Sequence, residues 1–420
     1  IIVDEEHDSS FKQEEGVRYH ARDMALLRAH RVGAVSVLGS ATPSVETEQL
    51  ARDARLGRLR LPMRARTAAM LPKVEVIDLR RTPAGPTGDK RLSAPLHTAI
   101  EETLARQEQV ILFLNRRGFA PSVVCESCGV IALCPLCSVP LTYHRAQNLV
   151  RCHYCDHQRR FTGRCRACRS DRVVLEGLGT ERLEETVRLA FPGARIERLD
   201  RDVGTAAKAE VILTKLREHE IDILIGTQMV AKGHDVARVT LVGVINADGA
   251  LSMPDVRATE RAFQLLVQVA GRAGRGEVAG RVLLQTRDPL NPAIVSAAHH
   301  DVEGFLEREL TARAELAYPP FARLAMVRVD GEDEDLAHQA AKLLADVARG
   351  SGPAARGVIE VLGPAPAPLS RLRGRYRFQI LLKSRDRRLL RHVAQLVLGN
   401  ESRLVGDIRA TVDIDPVSML

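Results

Sequence analysis

Short apolar runs without alternation recur along the chain, and stretches of helical period lie between them. Val110-Ile-Leu-Phe-Leu114 is the clearest run, the pattern of a strand buried on both faces of a parallel sheet. Ile1–Val3, Val35–Leu38, Ile221–Ile225 and Val239–Ile245 read the same way, with a further strand around Arg195–Leu199. Helical patterns cover Ala21–Ala29, Ser93–Arg106, Glu181–Ala190, Ala207–Arg217 and Glu260–Ala270. Strand and helix in alternation predict an α/β fold built on parallel sheets. Leu59–Gly88 is rich in Arg, Pro and Gly and reads as a crossing between two such units, with one strand at Val74–Ile77. From about residue 315 a separate α/β domain is expected: strand Leu324–Val329, helix Asp335–Ala348, strands Val358–Leu362 and Arg377–Lys383, and helix Arg387–Leu398.

One stretch interrupts the pattern. After the strand at Val110, Cys125–Cys168 holds all eight cysteines as four Cys-x-x-Cys pairs: Cys125/Cys128, Cys134/Cys137, Cys152/Cys155 and Cys165/Cys168. Each pair sets two sulfurs on one tight knuckle, and two knuckles complete a tetrahedron of thiolates around Zn²⁺. Eight thiolates fit two closed sites with no position left for water. Such metals hold structure and do no chemistry, so a zinc-dependent nuclease is excluded. A disulfide framework is the competing reading, and the cytosol disfavours it. Val173-Val-Leu175 and the helix from Glu181 follow, so a βα unit reads as interrupted at its loop. A segment of this size builds no hydrophobic core of its own, and zinc supplies on the order of 10 kcal/mol per site.

A length of 420 residues suggests about three domains, and 45% hydrophobic residues allow a sizeable core. No run of 18 apolar residues occurs, which excludes a membrane-spanning helix. A net charge of +8 points to a polyanionic partner, while 3% aromatic residues and no Trp limit any base-stacking platform. The first residue is not Met and lies inside an apolar strand, so the chain reads as the C-terminal portion of a longer protein.

Candidate chemistry sits at strand ends. Ile1–Val3 runs onto Asp4-Glu-Glu-His7, a geometry that in nucleotide hydrolases puts the first acid on Mg²⁺ while the second polarises water. The strand at Val35 runs into Ser40-Ala41-Thr42, and the helix between the two strands makes one βαβ unit. Gly226-Thr227-Gln228, with Lys232 just beyond, follows the strand at Ile221, where parallel-sheet proteins bind ligands. Helix Glu260–Ala270 leads into Gln268-Val-Ala-Gly-Arg-Ala-Gly-Arg275, whose Arg272 and Arg275 can neutralise charge on a transferring phosphoryl group.

With these residues in hand, the chain resembles the replication-restart primosomal helicases of bacteria (the primosomal protein N′, or PriA, family). The resemblance rests on Asp4–His7, Gly39–Ser44, Phe113–Pro121, the eight cysteines, Gly177–Glu181, Gly226–Gly233, Gln268–Arg275, Tyr318–Phe321 and Val361–Pro364, and runs the full length of the chain. It implies two RecA-like helicase lobes, the first one partial, with a two-zinc Cys-rich insert in lobe two and a small C-terminal α/β domain. The expected division is 1–88 as the end of lobe one and a linker, 89–124 with 169–314 as lobe two, 125–168 as the insert, and 315–420 as the C-terminal domain. It implies an ATP-dependent 3′→5′ DNA helicase that acts at stalled or abandoned forks and restarts replication by primosome assembly. Asp4, Glu5 and His7 would then serve magnesium and water activation, and Gln268, Arg272 and Arg275 would reach the phosphates of ATP. Ser40, Ala41, Thr42, Thr227, Gln228 and Lys232 would couple hydrolysis to DNA, and Phe11 and Tyr19 would stack on bases. The resemblance also implies nested zinc sharing: Cys125, Cys128, Cys165 and Cys168 for one ion, Cys134, Cys137, Cys152 and Cys155 for the other.

Implied partners are single-stranded and forked DNA, primosome proteins and single-strand-binding protein, met by a monomer in the bacterial cytoplasm at the nucleoid. The sequence departs from the family in three respects: it contains no Gly-x-x-x-x-Gly-Lys-Ser/Thr loop, it reads as lacking the fork-binding N-terminal domain, and Val17, Val236 and Val256 stand where the family is expected to carry aromatics. A non-catalytic DNA- and protein-binding scaffold is therefore the alternative. Ser9–Asp23, polar and interrupted by Gly16, is expected to be a mobile DNA-sensing loop, with Lys12, Arg18 and Arg22 for phosphates.

Overall fold

The computed structural model describes residues 1–14, 16–61, 71–114, 122–136, 139–144, 147–176, 180–199, 206–227, 238–274 and 279–419. The first lobe is a βαβα unit: β1 (Ile2–Val3), α1 (Ala21–Val32), β2 (Val37–Leu38) and α2 (Val45–Arg52). The two strands pair in parallel with Ile2 opposite Val37 and Val3 opposite Leu38. Helix α1 ends at Gly33, whose φ of 66° supplies the left-handed cap. Helix α2 starts where the Ser44 side chain accepts the Thr47 N–H.

Next come β3 (Lys73–Asp78), α3 (Ala94–Ala105) and β4 (Gln109–Phe113). The chain then leaves for the insert, β5 (Ser122–Cys125), β6 (Thr142–His144), β7 (Leu149–Arg151), β8 (Gln158–Arg160) and β9 (Val173–Glu176). It returns through α4 (Thr180–Ala190), β10 (Ile196–Leu199), α5 (Ala206–Arg217), β11 (Ile223–Gly226), β12 (Val239–Val244), α6 (Asp248–Leu251), α7 (Ala258–Ala270), β13 (Arg281–Thr286), α8 (Pro292–Ala298) and α9 (Val302–Glu315).

Among the described residues, the second lobe is a parallel sheet in the order β10-β11-β4-β12-β13-β3. Its central strands β4, β11 and β12 are buried at every position, which is why they read as unbroken apolar runs. Gly243 in β12 lies under α3; a Cβ there would meet Leu96 and Leu112 at 2.8 Å. Two expectations are corrected here. The strand at Val74–Ile77 is no mere crossing, because β3 is the outer strand of this sheet, paired along its length with β13. The run Val173–Leu175 does not join this sheet, because β9 pairs antiparallel with β5 inside the insert. An apolar run reports that a strand is buried, not which sheet buries it.

The insert is an antiparallel sheet, β8-β7-β6-β5-β9. The C-terminal domain follows: β14 (Arg323–Gly331), α10 (Glu334–Arg349), α11 (Gly352–Ala355), β15 (Glu360–Leu372), β16 (Arg375–Ser384), α12 (Arg387–Leu398) and β17 (Arg409–Ile414). Its sheet runs β15-β16-β14-β17. Strand β15 extends well past Leu362 because it forms a hairpin with β16, turned at Arg373-Gly374 with φ of 51° and 82°. Strand β17 is an addition to the expected elements.

The faces of this sheet divide by strand alternation. Ala325, Val327, Phe378, Ile380 and Leu382 pack on α10 and α12. Leu324, Met326 and Leu381 point the other way and share a core with Leu141, Val150 and Tyr154 of the insert and with Met419. The insert thus does not rely on metal alone; it borrows apolar surface from the C-terminal domain. Tyr154 is the centre of that contact, 1% exposed, and its hydroxyl accepts the Val256 N–H of the second lobe at 3.0 Å.

Tyr154→Phe leaves that partly buried N–H without its partner and is expected to cost about 1 kcal/mol or more. Tyr154→Ala is expected to cost about 3–5 kcal/mol. Calorimetry on the two variants checks both, and equal melting for Tyr154→Ala and the parent would show that the three parts do not depend on this residue.

Candidate functional site

The acidic box closes β1. Asp4 and Glu5 are exposed beyond the strand end, and Asp4 Oδ1 accepts the Glu5 N–H at 2.9 Å. Glu5 has a φ of 49°, the left-handed region that a long side chain adopts only under constraint. Gly39, at the end of β2, lies so near that a Cβ there would sit 3.3 Å from Asp4 Oδ1. His7 turns back into the protein: Nδ1 lies 2.7 Å from Ser40 Oγ and Nε2 lies 2.8 Å from the Gln268 amide nitrogen. With Gln268 donating to Nε2, the ring carries its proton on Nδ1 and donates to Ser40. Ser40 Oγ in turn accepts the Thr42 N–H at 3.0 Å. His7, Ser40, Thr42 and Gln268 are therefore one connected network across the two lobes.

Helix α7 supplies the second-lobe side of that network with polar residues four apart. Glu260 accepts the Val45 N–H at 3.0 Å, Gln264 donates to the Thr42 carbonyl at 3.5 Å, and Gln268 meets His7. Glu260 is held by Arg313 at 2.7 Å, while Arg257 reaches Glu46 at 2.7 Å. Burial pushes the Glu46 carboxyl up, but Arg257, Arg313 and Arg22 outweigh it and hold the group well below the usual carboxylate range. For Glu309, beside Arg313, burial wins and its carboxyl is raised. Sequence reasoning picked Gln268 and missed Glu260 and Gln264, although the four-residue stripe was the available signal.

Ala41 is exposed between Ser40 and the buried Thr42, and Thr227 is buried at the end of β11, its N–H donating to the Leu199 carbonyl. Arg272 follows α7 in a turn, half-buried. Arg275, Gln228, Lys232 and Cys137 lie outside the described residues.

The segment after the acidic box departs from the expected mobile loop. Ser9–Phe11 forms a single 3₁₀ turn capped by Asp8, and Lys12 bridges to His20. Lys12 is 7% exposed, pairs with Asp413 at 2.7 Å and donates to the carbonyls of Ile414 and Asp415. Arg18 donates to the Val412 carbonyl, and Arg22 to Glu6 and Ser44. Lys12 and Arg22 are thus committed to protein partners rather than presented to phosphates. Tyr19 keeps 45% of its surface exposed, and Phe11 is half-buried.

Away from the cleft, Cys125, Cys128, Cys165 and Cys168 converge, and so do Cys134, Cys152 and Cys155. Sulfur–sulfur distances are 3.6 Å for Cys125–Cys168 and Cys128–Cys165 and 3.7 Å for Cys134–Cys155. A tetrahedron with Zn–S of about 2.3 Å has edges of about 3.8 Å, whereas a disulfide is about 2.0 Å. The donor set and spacing fit zinc. The first knuckle also docks on the second lobe: Arg80 donates to the Cys128 carbonyl, and a Cβ on Gly129 would lie 2.2 Å from the Arg287 carbonyl oxygen.

Residues 314–417 match the family described as Primosomal protein N C-terminal domain, 134–160 the PriA DNA helicase Cys-rich region domain, and 165–277 the Helicase conserved C-terminal domain. The chain is 40% identical over 417 residues to the "Replication restart protein PriA" of Haemophilus influenzae, covering 99% of this chain and 56% of that one. The protein of the same name from Bacillus subtilis is 38% identical over 424 residues, covering 100% and 52%. That from Treponema pallidum is 40% identical over 426 residues, covering 100% and 62%. The chain spans about half the length of the curated relatives it matches.

Two outcomes are expected. Metal analysis finds two zinc ions per chain, with one lost from Cys125→Ser and one from Cys137→Ser; a count of two in both variants would overturn the assignment. Arg313→Met, which leaves Glu260 buried without its partner, costs about 3–5 kcal/mol near neutral pH. Arg313 also helps hold the Glu46 carboxyl low, and that depressed group contributes stability that is present above its ordinary value of 4.5 and lost as pH falls through its folded value. The gap between parent and variant therefore narrows in acid below that value, as melting curves across pH would record.

Proposed function

Since the chain belongs to the PriA family of replication restart proteins, we propose that it is part of an ATP-driven DNA helicase. In this reading the enzyme moves 3′→5′ at stalled or abandoned forks and rebuilds the primosome there, in the bacterial cytoplasm at the nucleoid. The observation that carries the reading is the contact of His7 with both Ser40 and Gln268, because it joins an acidic strand end on one lobe to the Gln–Arg segment of the other. A hydrolytic cleft whose two halves must close on ATP needs such a joint.

In that cleft Asp4 and Glu5 would hold Mg²⁺ and orient the attacking water. Magnesium, when bound, neutralises charge on the phosphates. Arg272 and Arg275 would face the transferring phosphoryl group, with Arg275 as the finger. Ser40 and Thr42, hydrogen-bonded to each other and to His7, would pass the state of the cleft to the DNA path. Thr227, Gln228 and Lys232 would touch the DNA backbone, and the exposed ring of Tyr19, with Phe11, would stack on a base. Zinc would hold the insert together without entering the chemistry. Primosome proteins and single-strand-binding protein are the partners this function requires, met by a monomer.

The test is steady-state ATP hydrolysis by the full-length protein with and without single-stranded DNA. DNA stimulation is expected, with Arg275→Ala lowering the stimulated rate by about 10³-fold or more. The present 420-residue chain alone, which contains no phosphate-binding loop, is expected to show no hydrolysis above background. DNA binding without hydrolysis by the full-length protein would instead favour the non-catalytic scaffold.

A further inference from the structure

Glu6 has no part in the roles assigned above, yet it is the most deeply buried member of the acidic box, at 1% exposed. Its carboxylate accepts the Ser44 N–H at 2.6 Å, the Thr47 hydroxyl at 2.9 Å, the Ser44 hydroxyl at 3.1 Å and Arg22 Nη1 at 3.1 Å. It therefore sits on the N-terminal end of α2, where unpaired amides favour an anion. It also fastens that end to the first turn of α1, since Arg22 donates to Ser44 Oγ as well, at 2.7 Å.

The neighbouring residue gives this anchor a purpose. Glu5 stands in the left-handed region with a φ of 49°. Such a backbone persists only where its surroundings over-determine it. On its N-terminal side β1 is fixed by pairing with β2. On its C-terminal side the Glu6 N–H donates to the Gly39 carbonyl at 3.0 Å, and the Glu6 side chain is locked by its four donors. The Glu5 side chain has no comparable hold of its own: half of it is exposed, and the His7 ring nitrogen Nδ1 lies 3.5 Å from its carboxylate. The Arg22 end of the anchor lies two residues beyond His20, where the segment after the box closes on Lys12.

We infer that Glu6 is a positioning residue for hydrolysis: with Arg22 it holds Glu5 in its turn and ties the setting of that acid to residues 9–20. This rests on the reading of Asp4 and Glu5 as the hydrolytic acids. A group that sets an acid for the transition state affects turnover and leaves ATP affinity alone. Two groups that act as one anchor have non-additive effects.

The experiment measures kcat and KM for ATP in the full-length protein with saturating single-stranded DNA, for Glu6→Gln, Arg22→Gln and the double variant. Expected is a fall in kcat of about tenfold in each single variant, with KM within about twofold of the parent and the double variant no worse than the poorer single one. Thermal melting and zinc content are recorded alongside. Wild-type turnover in Glu6→Gln overturns the inference, and so do additive losses or a kcat that falls only in step with the folded fraction. A parent protein that hydrolyses no ATP sinks the helicase reading and this inference together, whereas an active parent with an indifferent Glu6→Gln sinks this inference alone. If neither single variant folds, Thr47→Val, which removes one donor, decides, and an unchanged kcat there overturns the inference.

Discussion

The junction between the lobes rests on charge taken out of water. Glu46, Glu260, Arg257 and Arg313 meet where α2 of the first lobe faces α7 and α9 of the second. Burying such groups is costly, and apolar packing of the same volume would often serve stability as well or better. What apolar packing lacks is direction. Glu260 can accept the Val45 N–H only if α2 points its first turn at α7, and Arg313 can serve Glu260 only if α9 lies behind it. These bonds fix the angle and the register of the lobes, and the His7–Gln268 contact falls into place about two helical turns further along. A partly broken set of such buried charges is far less stable than a closed one.

The C-terminal segment adds a third member to this joint. Arg257, which holds Glu46, also donates to the Pro416 carbonyl, and Arg261 donates to the Val417 carbonyl. Met419 gives its N–H to Asp255 and buries its side chain against the insert and the sheet. Lys12 and Arg18 grip the carbonyls of 412–415 from the other side. One short stretch of main chain is thus held by residues of both lobes, and the segment beside the acidic box is ordered by a domain some 400 residues away in sequence, as the separation of Lys12 and Ile414 (402) records.

What the sequence disclosed follows from how each feature is buried. Strands β4, β11 and β12 are covered on both faces, so composition alone reveals them. The eight cysteines announce metal because four Cys-x-x-Cys pairs so close together supply two tetrahedral sets of thiolates. Strands β3 and β9 also carry apolar residues, but their partners are set by tertiary geometry that a local run does not encode. Strand β17 carries a readable alternation in Ala410, Val412 and Ile414, which pack toward α10 and α12, beside polar Thr411 and Asp413. Glu6 was illegible for a different reason: next to Glu5 in the same tetrapeptide, nothing local says which carboxylate turns inward. The segment 9–23 was misjudged because its polar residues look solvated, whereas Lys12 and Arg22 are spent on buried pairs.

The stem of the insert has a consequence of its own. The chain enters through β5 and leaves through β9, and these are neighbours, with Ser122 directly opposite Glu176. Adjacent strands lie about 4.8 Å apart, so the two ends of the inserted segment are already together when it is folded. A lobe that receives it must open one loop by little more than the width of a strand, and no strand of its own sheet has to move. Closing a long excursion at such a stem adds little entropy cost to the host. The lobe's own sheet is therefore continuous without the insert, whose apolar contacts are shared with the C-terminal domain.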